Sequence, residues 1–279
     1  NEPKKRGGLV KILLFAFGGI ALIGIGLGGG FLLFGSSQPD PSEEIEQIIE
    51  RKMEEADAKK IAEETINEVT DLTSGRCHYF NTNAASEDAM KIHIPKIKEI
   101  TSGSQLKLLL HSIAFGTTTN FFGDKPVTQR QMDMTVHVMG NSLLYWTQNL
   151  LNEELLGDGS RVIGLTSEGN YLAMEGYGPV SVAKVAMEAV IRQIGWELGQ
   201  YGITANSVQA GVTPTRALTK INDRWEDWVE NTKKRNPMRR TTTPEDVAGT
   251  ISMLLRPEAD FINCSIIYCD GGEHRSGTI

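Results

Sequence analysis

Apolar and polar positions alternate along this chain in three different regimes. From Ile12 to Phe34 no charged residue occurs, and Lys4, Lys5, Arg6 and Lys11 precede the run. At ~1.5 Å per residue such a run is roughly 35 Å long as a helix, enough to cross a hydrocarbon core. Gly24 with Gly28, and Gly26 with Gly30, add overlapping GxxxG spacings that allow close helix approach. The pattern predicts a transmembrane helix over 9–34. A second reading makes Leu9–Phe17 a strand and Gly19 with Gly24-Ile25-Gly26 a dinucleotide-binding glycine loop. That loop must open an amphipathic helix, and only glycine and apolar residues follow Gly26. The membrane reading is the stronger.

The second regime is charged. Gly35-Ser-Ser-Gln-Pro is linker chemistry, and Asp40-Pro41-Ser42-Glu43 forms a capping pattern with Pro41 at the first helical position. Ile45, Ile48, Ile49, Met53, Ile61, Ile66 and Val69 then recur at helical spacing among charges. The third regime begins after Ser74-Gly75. It predicts strands over Cys77–Asn81, Leu106–Ile113, Arg161–Leu165, Thr204–Val208 and Ser265–Tyr268. Between them lie helices over Ser86–Ile100, Gln129–Glu154, Tyr177–Gln200 and Pro244–Leu255, the last capped by Thr243. Strands alternating with helices imply a parallel sheet covered on both faces. The expected organisation is a basic and apolar segment over 1–36, a linker and charged helix over 37–75, and an α/β domain over 76–279.

The net charge of −7 argues against a nucleic-acid binder. Three cysteines (Cys77, Cys264, Cys269) show no metal-type spacing and read as buried reduced thiols, so no metal site is expected.

In such a sheet, ligands sit beyond the carboxyl ends of the strands. Asn83-Ala84, the run from His111 through Ser112, Ile113 and Ala114 to Gly116, Thr166-Ser167, and Gly211 through Thr213 to Thr215 all fall there. Small residues and hydroxyls collect at one edge, which suits a flat cofactor with phosphates and ribose hydroxyls. Tyr177 and Lys184 are two helical turns apart and share a face. A phenol ordinarily titrates near ~10. A nearby ammonium is expected to lower that value, which makes the pair a proton donor or an anchor for an oxyanion.

Taken together these segments carry a resemblance. Tyr177 through Lys184, followed by Val185-Ala-Met-Glu-Ala-Val, resembles the active-site helix of the short-chain dehydrogenase/reductase superfamily. The six-residue gap is similar to that of its enoyl-acyl-carrier-protein reductase branch. His111-Ser-Ile-Ala-Phe, Asn206 to Gly211 with Thr215, Thr243 to Ala248, and Ile266 to Gly272 are similar to further motifs, so the likeness runs from about Ala62 to His274. It implies a Rossmann-like doubly wound parallel sheet and an NADH- or NADPH-dependent reduction of trans-2-enoyl thioesters carried on acyl carrier protein or coenzyme A. Tyr177 would hydrogen-bond the thioester oxygen and Lys184 would hold the nicotinamide ribose. Ser112, Ile113, Ala114, Thr166, Gly211, Thr213 and Thr215 would contact the cofactor, with Asn83 and Ala84 at the adenine. Ala217–Trp228, with Leu218, Ile221, Trp225 and Trp228, would be a lid over the acyl chain. A homo-oligomer, tetramer or dimer, is implied.

Departures from that branch keep alternatives open. Ser167 stands where it has a second tyrosine, with Tyr171 nearby as a substitute. Met139 occupies the asparagine position of ketoacyl reductases, and Ser181 the position of their lysine, which disfavours ketoacyl or carbonyl reduction. The front of the domain lacks a convincing glycine loop and second strand, which leaves open a membrane-tethered, catalytically silent interaction domain. Positive residues before the apolar run would send the domain outward, whereas reduced nicotinamide cofactors lie inside. A cytoplasmic-facing domain at the membrane is the expectation.

Overall fold

A computed structural model of the chain describes Asn67, Asp71, residues 78–80 and 82–215, Leu218 and residues 224–277. The apolar run 9–34, the rival glycine loop and the charged segment from Asp40 lie outside the described residues. Among the described residues no helix is long and apolar enough to cross a membrane. The chain divides into two compact units, Gly18–Asn83 and Asn1–Phe17 with Ala84–Ile279. In the smaller unit, Asn67 and Asp71 are helical. The ends of the strand expected over Cys77–Asn81 fall outside the described residues, and 78–80 between them are not in a strand.

The larger unit follows the expected alternation. Its elements are α1 (Glu87–Ile100), β1 (Leu108–His111), α2 (Gln129–Val136), a π-helical turn (His137–Asn141), α3 (Ser142–Asn152), β2 (Arg161–Ser167), α4 (Gly178–Leu198), β3 (Thr204–Ala210), α5 (Trp225–Arg235), α6 (Pro244–Leu254) and β4 (Ile266–Cys269). The four strands pair in parallel in the order β1-β2-β3-β4. Among the described residues they wind in one direction only.

Local chemistry explains the boundaries. Ser86 caps α1 through Ala89 N–H. Thr128 with Gln131, and Thr243 with Asp246, form reciprocal capping boxes at α2 and α6, each satisfying two otherwise orphaned amides. The helix expected over Gln129–Glu154 is interrupted by the π turn. There Gly140 lets the backbone approach α4, for a Cβ at this position would stand 3.0 Å from Ala183 O and 3.3 Å from Ala186 Cβ.

Side chains on the two faces of the sheet meet different helices. Leu108, Leu110, Ile163 and Val208 pack with Val247, Ile251 and Leu254 of α6. On the opposite face Gly164 leaves room for Met187 and Ile191 of α4, whose sulfur and δ-carbon lie 2.9 and 2.7 Å from where its Cβ would be. The sheet is thus the middle layer of an α/β/α stack, and strand and helix lengths bring the ends of β1, β2 and β3 to the first turns of α4. Met187 is completely buried. Met187→Ala should cost ~2–5 kcal/mol in urea unfolding through the cavity it leaves; a cost below ~1 kcal/mol would show that α4 collapses onto Gly164.

Candidate active site

The helix α4 starts where the backbone can turn sharply. Gly176 adopts a left-handed φ of +69°, Tyr177 sits at the cap, and Pro179 is in the first turn. Tyr177 is buried, and its ring lies over Gly169, where a Cβ would come within 2.2 Å of Cε1. Gly169 must therefore have no side chain. The phenolic Oη is 2.9 Å from Ser167 Oγ at the end of β2. So the residue standing at the enoyl branch's second-tyrosine position touches the phenol directly.

Lys184 lies two turns further along α4 and is also buried. Its ammonium donates to Leu165 O at 2.7 Å and to Ile113 O at 3.2 Å, the ends of β2 and of the segment after β1. Burial pushes its pKa down to about 8, against the opposing charge of Glu188. Lys184 and Tyr177 are not hydrogen-bonded to each other. The expectation that the ammonium lowers the phenol is corrected by the geometry: burial pushes Tyr177 up, the Ser167 hydrogen bond partly offsets it, and the Glu168 charge adds to the rise. Tyr177 is therefore a neutral donor at physiological pH.

Glu188, one turn beyond Lys184, was not singled out from the sequence. It is buried and accepts from both the Thr166 hydroxyl and the Asn170 amide, so it clamps both sides of the turn that carries Ser167. A carboxylate four residues after a lysine on a buried helix face was the available signal. The same bond points the Thr166 hydroxyl proton at Glu188. His111 is buried and pushed down to about 3, by burial first and by the Lys184 charge second. Its Nε2 is 2.8 Å from Ser142 Oγ, and that hydroxyl donates to Val138 O at 2.7 Å. Nε2 must then carry the proton, and the π turn is pinned to the end of β1.

The remaining expected residues are placed as follows. Ser112 is half-buried and Ala114 exposed beyond β1, while the Ile113 side chain packs with Tyr177, Val180 and Met139. Gly211 donates to Cys269 O, and a Cβ there would come within 2.6 Å of Glu273 and Thr242. Thr213 donates to Gly211 O at 2.9 Å, and Thr215 is exposed. Tyr171 is half exposed and its hydroxyl accepts from Gln209 at 3.1 Å, not from Tyr177; it does not substitute for a second tyrosine in contact with the first. Ala84 O accepts from Trp146 Nε1 at 2.7 Å. Asn83 is exposed, at the end of the smaller unit. Of the expected lid, Leu218 is buried and Trp225 and Trp228 belong to α5; Ile221 lies outside the described residues. Among the described residues no group of histidine, cysteine or acidic side chains could hold a metal ion.

The arrangement fits the ribose and nicotinamide end of a dinucleotide. An ammonium has three donors; Lys184 spends two on carbonyls and keeps one. Beside it stands a phenol backed by a hydroxyl.

The chain is similar to known proteins. Residues 52–274 match the family model described as enoyl-(acyl carrier protein) reductase. The enoyl-[acyl-carrier-protein] reductase [NADH] of Bacillus subtilis is 28% identical over 166 residues, which cover 60% of this chain and 64% of that protein. The Aquifex aeolicus enzyme is 28% identical over 190 residues, covering 66% of this chain and 68% of its own. The chain thus spans about two thirds of the curated relatives it matches. Among solved structures, the Bacillus cereus reductase with NADP+ and an indole naphthyridinone is 25% identical with a TM-score of 0.64, covering 71% of this chain and 75% of that one. A reductase–NADH complex from Alistipes finegoldii is 20% identical with a TM-score of 0.65, covering 71% and 69%; at that identity it speaks to the Rossmann-like fold alone.

The buried ammonium yields a stability prediction. With a folded pKa of about 8 against 10.5, the unfolded chain holds the extra proton between those values, so stability rises with pH there. Below pH 8 the penalty is complete and amounts to roughly 3 kcal/mol. In urea unfolding, the stability of Lys184→Met relative to the wild type should be higher near pH 7 than near pH 10.5. A difference that does not change with pH would show that the charge is not desolvated.

Proposed function

The chain belongs to the enoyl-(acyl carrier protein) reductase family, and from that membership we propose that it reduces the carbon–carbon double bond of trans-2-enoyl thioesters with NADH or NADPH. The observation that carries the reading is the buried Tyr177–Ser167 pair beside an ammonium tied to two strand ends. Bound reduced nicotinamide would supply the hydride for the β-carbon.

The chain's own residues have three tasks in this reading. Lys184 fixes the ribose through its third donor, and its two carbonyl bonds set the height of that donor above the sheet. Tyr177 donates its phenolic proton to the thioester oxygen. When it does so, Ser167 Oγ–H must point back at Oη, and this second hydrogen bond stabilises the phenol as negative charge grows on the substrate oxygen. The raised Tyr177 pKa favours the hydrogen-bonded neutral phenol. Gly211, Thr213 and Thr215 at the end of β3, with Ser112 and Ala114 after β1, provide small side chains and hydroxyls where the cofactor's flat end needs close approach.

Met139 supports enoyl rather than ketoacyl reduction. It is buried with Tyr177 and Val180 and offers no amide at the position where ketoacyl reductases resemble one another. The natural substrate carrier is acyl carrier protein or coenzyme A, the working form an oligomer, and the compartment the cytoplasmic side, where the reduced cofactor is held.

The test is oxidation of NADH and of NADPH with a trans-2-enoyl thioester by the full chain. Tyr177→Phe should lower kcat ~10²–10⁴-fold, as loss of a positioned proton donor does, and Ser167→Ala should lower it ~10-fold with little change in KM. Absence of cofactor binding together with absence of turnover would favour a silent, tethered domain.

A further inference from the structure

Beyond the ends of β2, β3 and β4 lies a second group of charges, partly to wholly buried, that the chemistry above does not use. Arg235, in the last turn of α5, pairs through Nη2 with both Glu168 and Glu273. The Glu273 side chain is wholly buried and that of Glu168 is 12% exposed. Glu273 also accepts Val212 N–H at 3.4 Å and the Thr232 hydroxyl at 3.5 Å. Four segments meet here. Glu168 directly follows Ser167, and Val212 opens the loop with Thr213 and Thr215. Arg235 ends the helix that follows residues 216–224, and Glu273 belongs to the turn after β4.

Stability alone does not account for such a group. A buried ion pair can often be exchanged for apolar side chains of similar volume with no loss in stability, and here Glu273 is wholly buried while Arg235 and Glu168 are partly so. The location is more informative. Glu168 is the one acidic group whose charge raises the Tyr177 phenol, and one of its two oxygens is paired with Arg235.

We propose that Arg235 is a positioning residue for the proton-donating pair: by holding Glu168 against Glu273 it fixes the turn that carries Ser167, screens Tyr177 from a bare carboxylate, and ties both to the loop after β3. Its kinetic consequence rests on the enoyl reductase reading; its effect on the phenol does not. The charged and titratable groups around the cluster are Glu168 and Tyr171 from the turn after β2, Tyr177 from α4, Arg235 from α5, and Tyr268, Asp270 and Glu273 from β4 and the turn beyond it. Burial already pushes Glu273 up, and the Glu168 charge adds to this. Without the guanidinium, Glu273 would lose the partner that holds it down and would take up a proton more readily as pH falls.

The experiment uses the full chain as Arg235→Met, Glu168→Gln and the combination of both. Fluorotyrosine incorporated for tyrosine brings phenol titration into the range where the protein stays folded, and subtraction of a Tyr177→Phe background isolates one phenol. Arg235→Met should move that titration upward and lower kcat near pH 7 about tenfold, the equivalent of one pKa unit, with KM little changed. Activity should recover toward acid pH as Glu273, already pushed up by burial, takes up a proton and donates a hydrogen bond to Glu168. Glu168→Gln, which leaves a neutral Arg235–Glu273 pair, should move the titration downward, and the combined variant should regain kcat to within ~3-fold of wild type. An unchanged titration and pH profile in Arg235→Met would overturn the proposal, even if the variant were less stable. If that variant does not fold, an unshifted phenol in Glu168→Gln overturns it instead. Shifted titrations in a protein that reduces no enoyl thioester would leave this role standing and refute the assigned reaction.

Discussion

The ammonium of Lys184 is the fixed point of the domain. It is taken out of water, and the cost of that desolvation is visible in a pKa brought down to about 8. In exchange it binds Leu165 O and Ile113 O, so one side chain of α4 sets the register of the helix against two neighbouring strand ends. With that register set, Tyr177 must stand two turns away over Gly169, with its hydroxyl at Ser167. Glu188 must stand one turn the other way, under Thr166 and Asn170. An apolar residue in place of Lys184 would fill the same volume, but it could neither bridge the two strands nor offer a remaining donor to a ligand.

The π turn is the counterpart of that tie on the neighbouring helix. Its extra residue brings Gly140 against α4 at Ala183, the position just before Lys184. The Ser142 hydroxyl locks the turn to His111 at the end of β1. π turns recur at functional sites because the added residue redirects a side chain without breaking the helix. Here Met139 is directed into the cluster around Tyr177. The wall that faces the phenol is therefore apolar, which is part of why the phenol titrates high.

Much of this was legible in the residue pattern. The four strands, the long α4 and the Thr243 cap lie within a few residues of where alternation and capping chemistry put them, because each boundary is decided locally. The Tyr177–Lys184 pair was legible because two helical turns separate it. What could not be read was long-range. Glu168 and Arg235 are 67 residues apart and Arg235 and Glu273 are 38 apart, and no periodicity links such positions. Thr166 was assigned to a ligand because it ends a strand. That its hydroxyl also donates to Glu188 of α4 depends on a residue 22 positions away. Burial overruled the simple electrostatic expectation for Tyr177, since a sequence shows which charges are near but not how much water remains. The membrane and glycine-loop readings of residues 9–34 concern a stretch outside the described residues.

The strand order has a consequence for how the domain comes into being. Each strand of the sequence β1-β2-β3-β4 is hydrogen-bonded to the one that left the ribosome before it. Among the described strands, each can therefore add to the edge left by the one before it, and none has to insert between two that have already paired. Synthesis from the N-terminal end and growth of the sheet run in the same direction, so the loop-closure entropy of each crossover is met one helix at a time. β4, the last of these strands in the sequence, leads into the turn that carries Asp270 and Glu273. The charged group above the sheet is closed by the turn that follows β4, so it needs all four described strands in place.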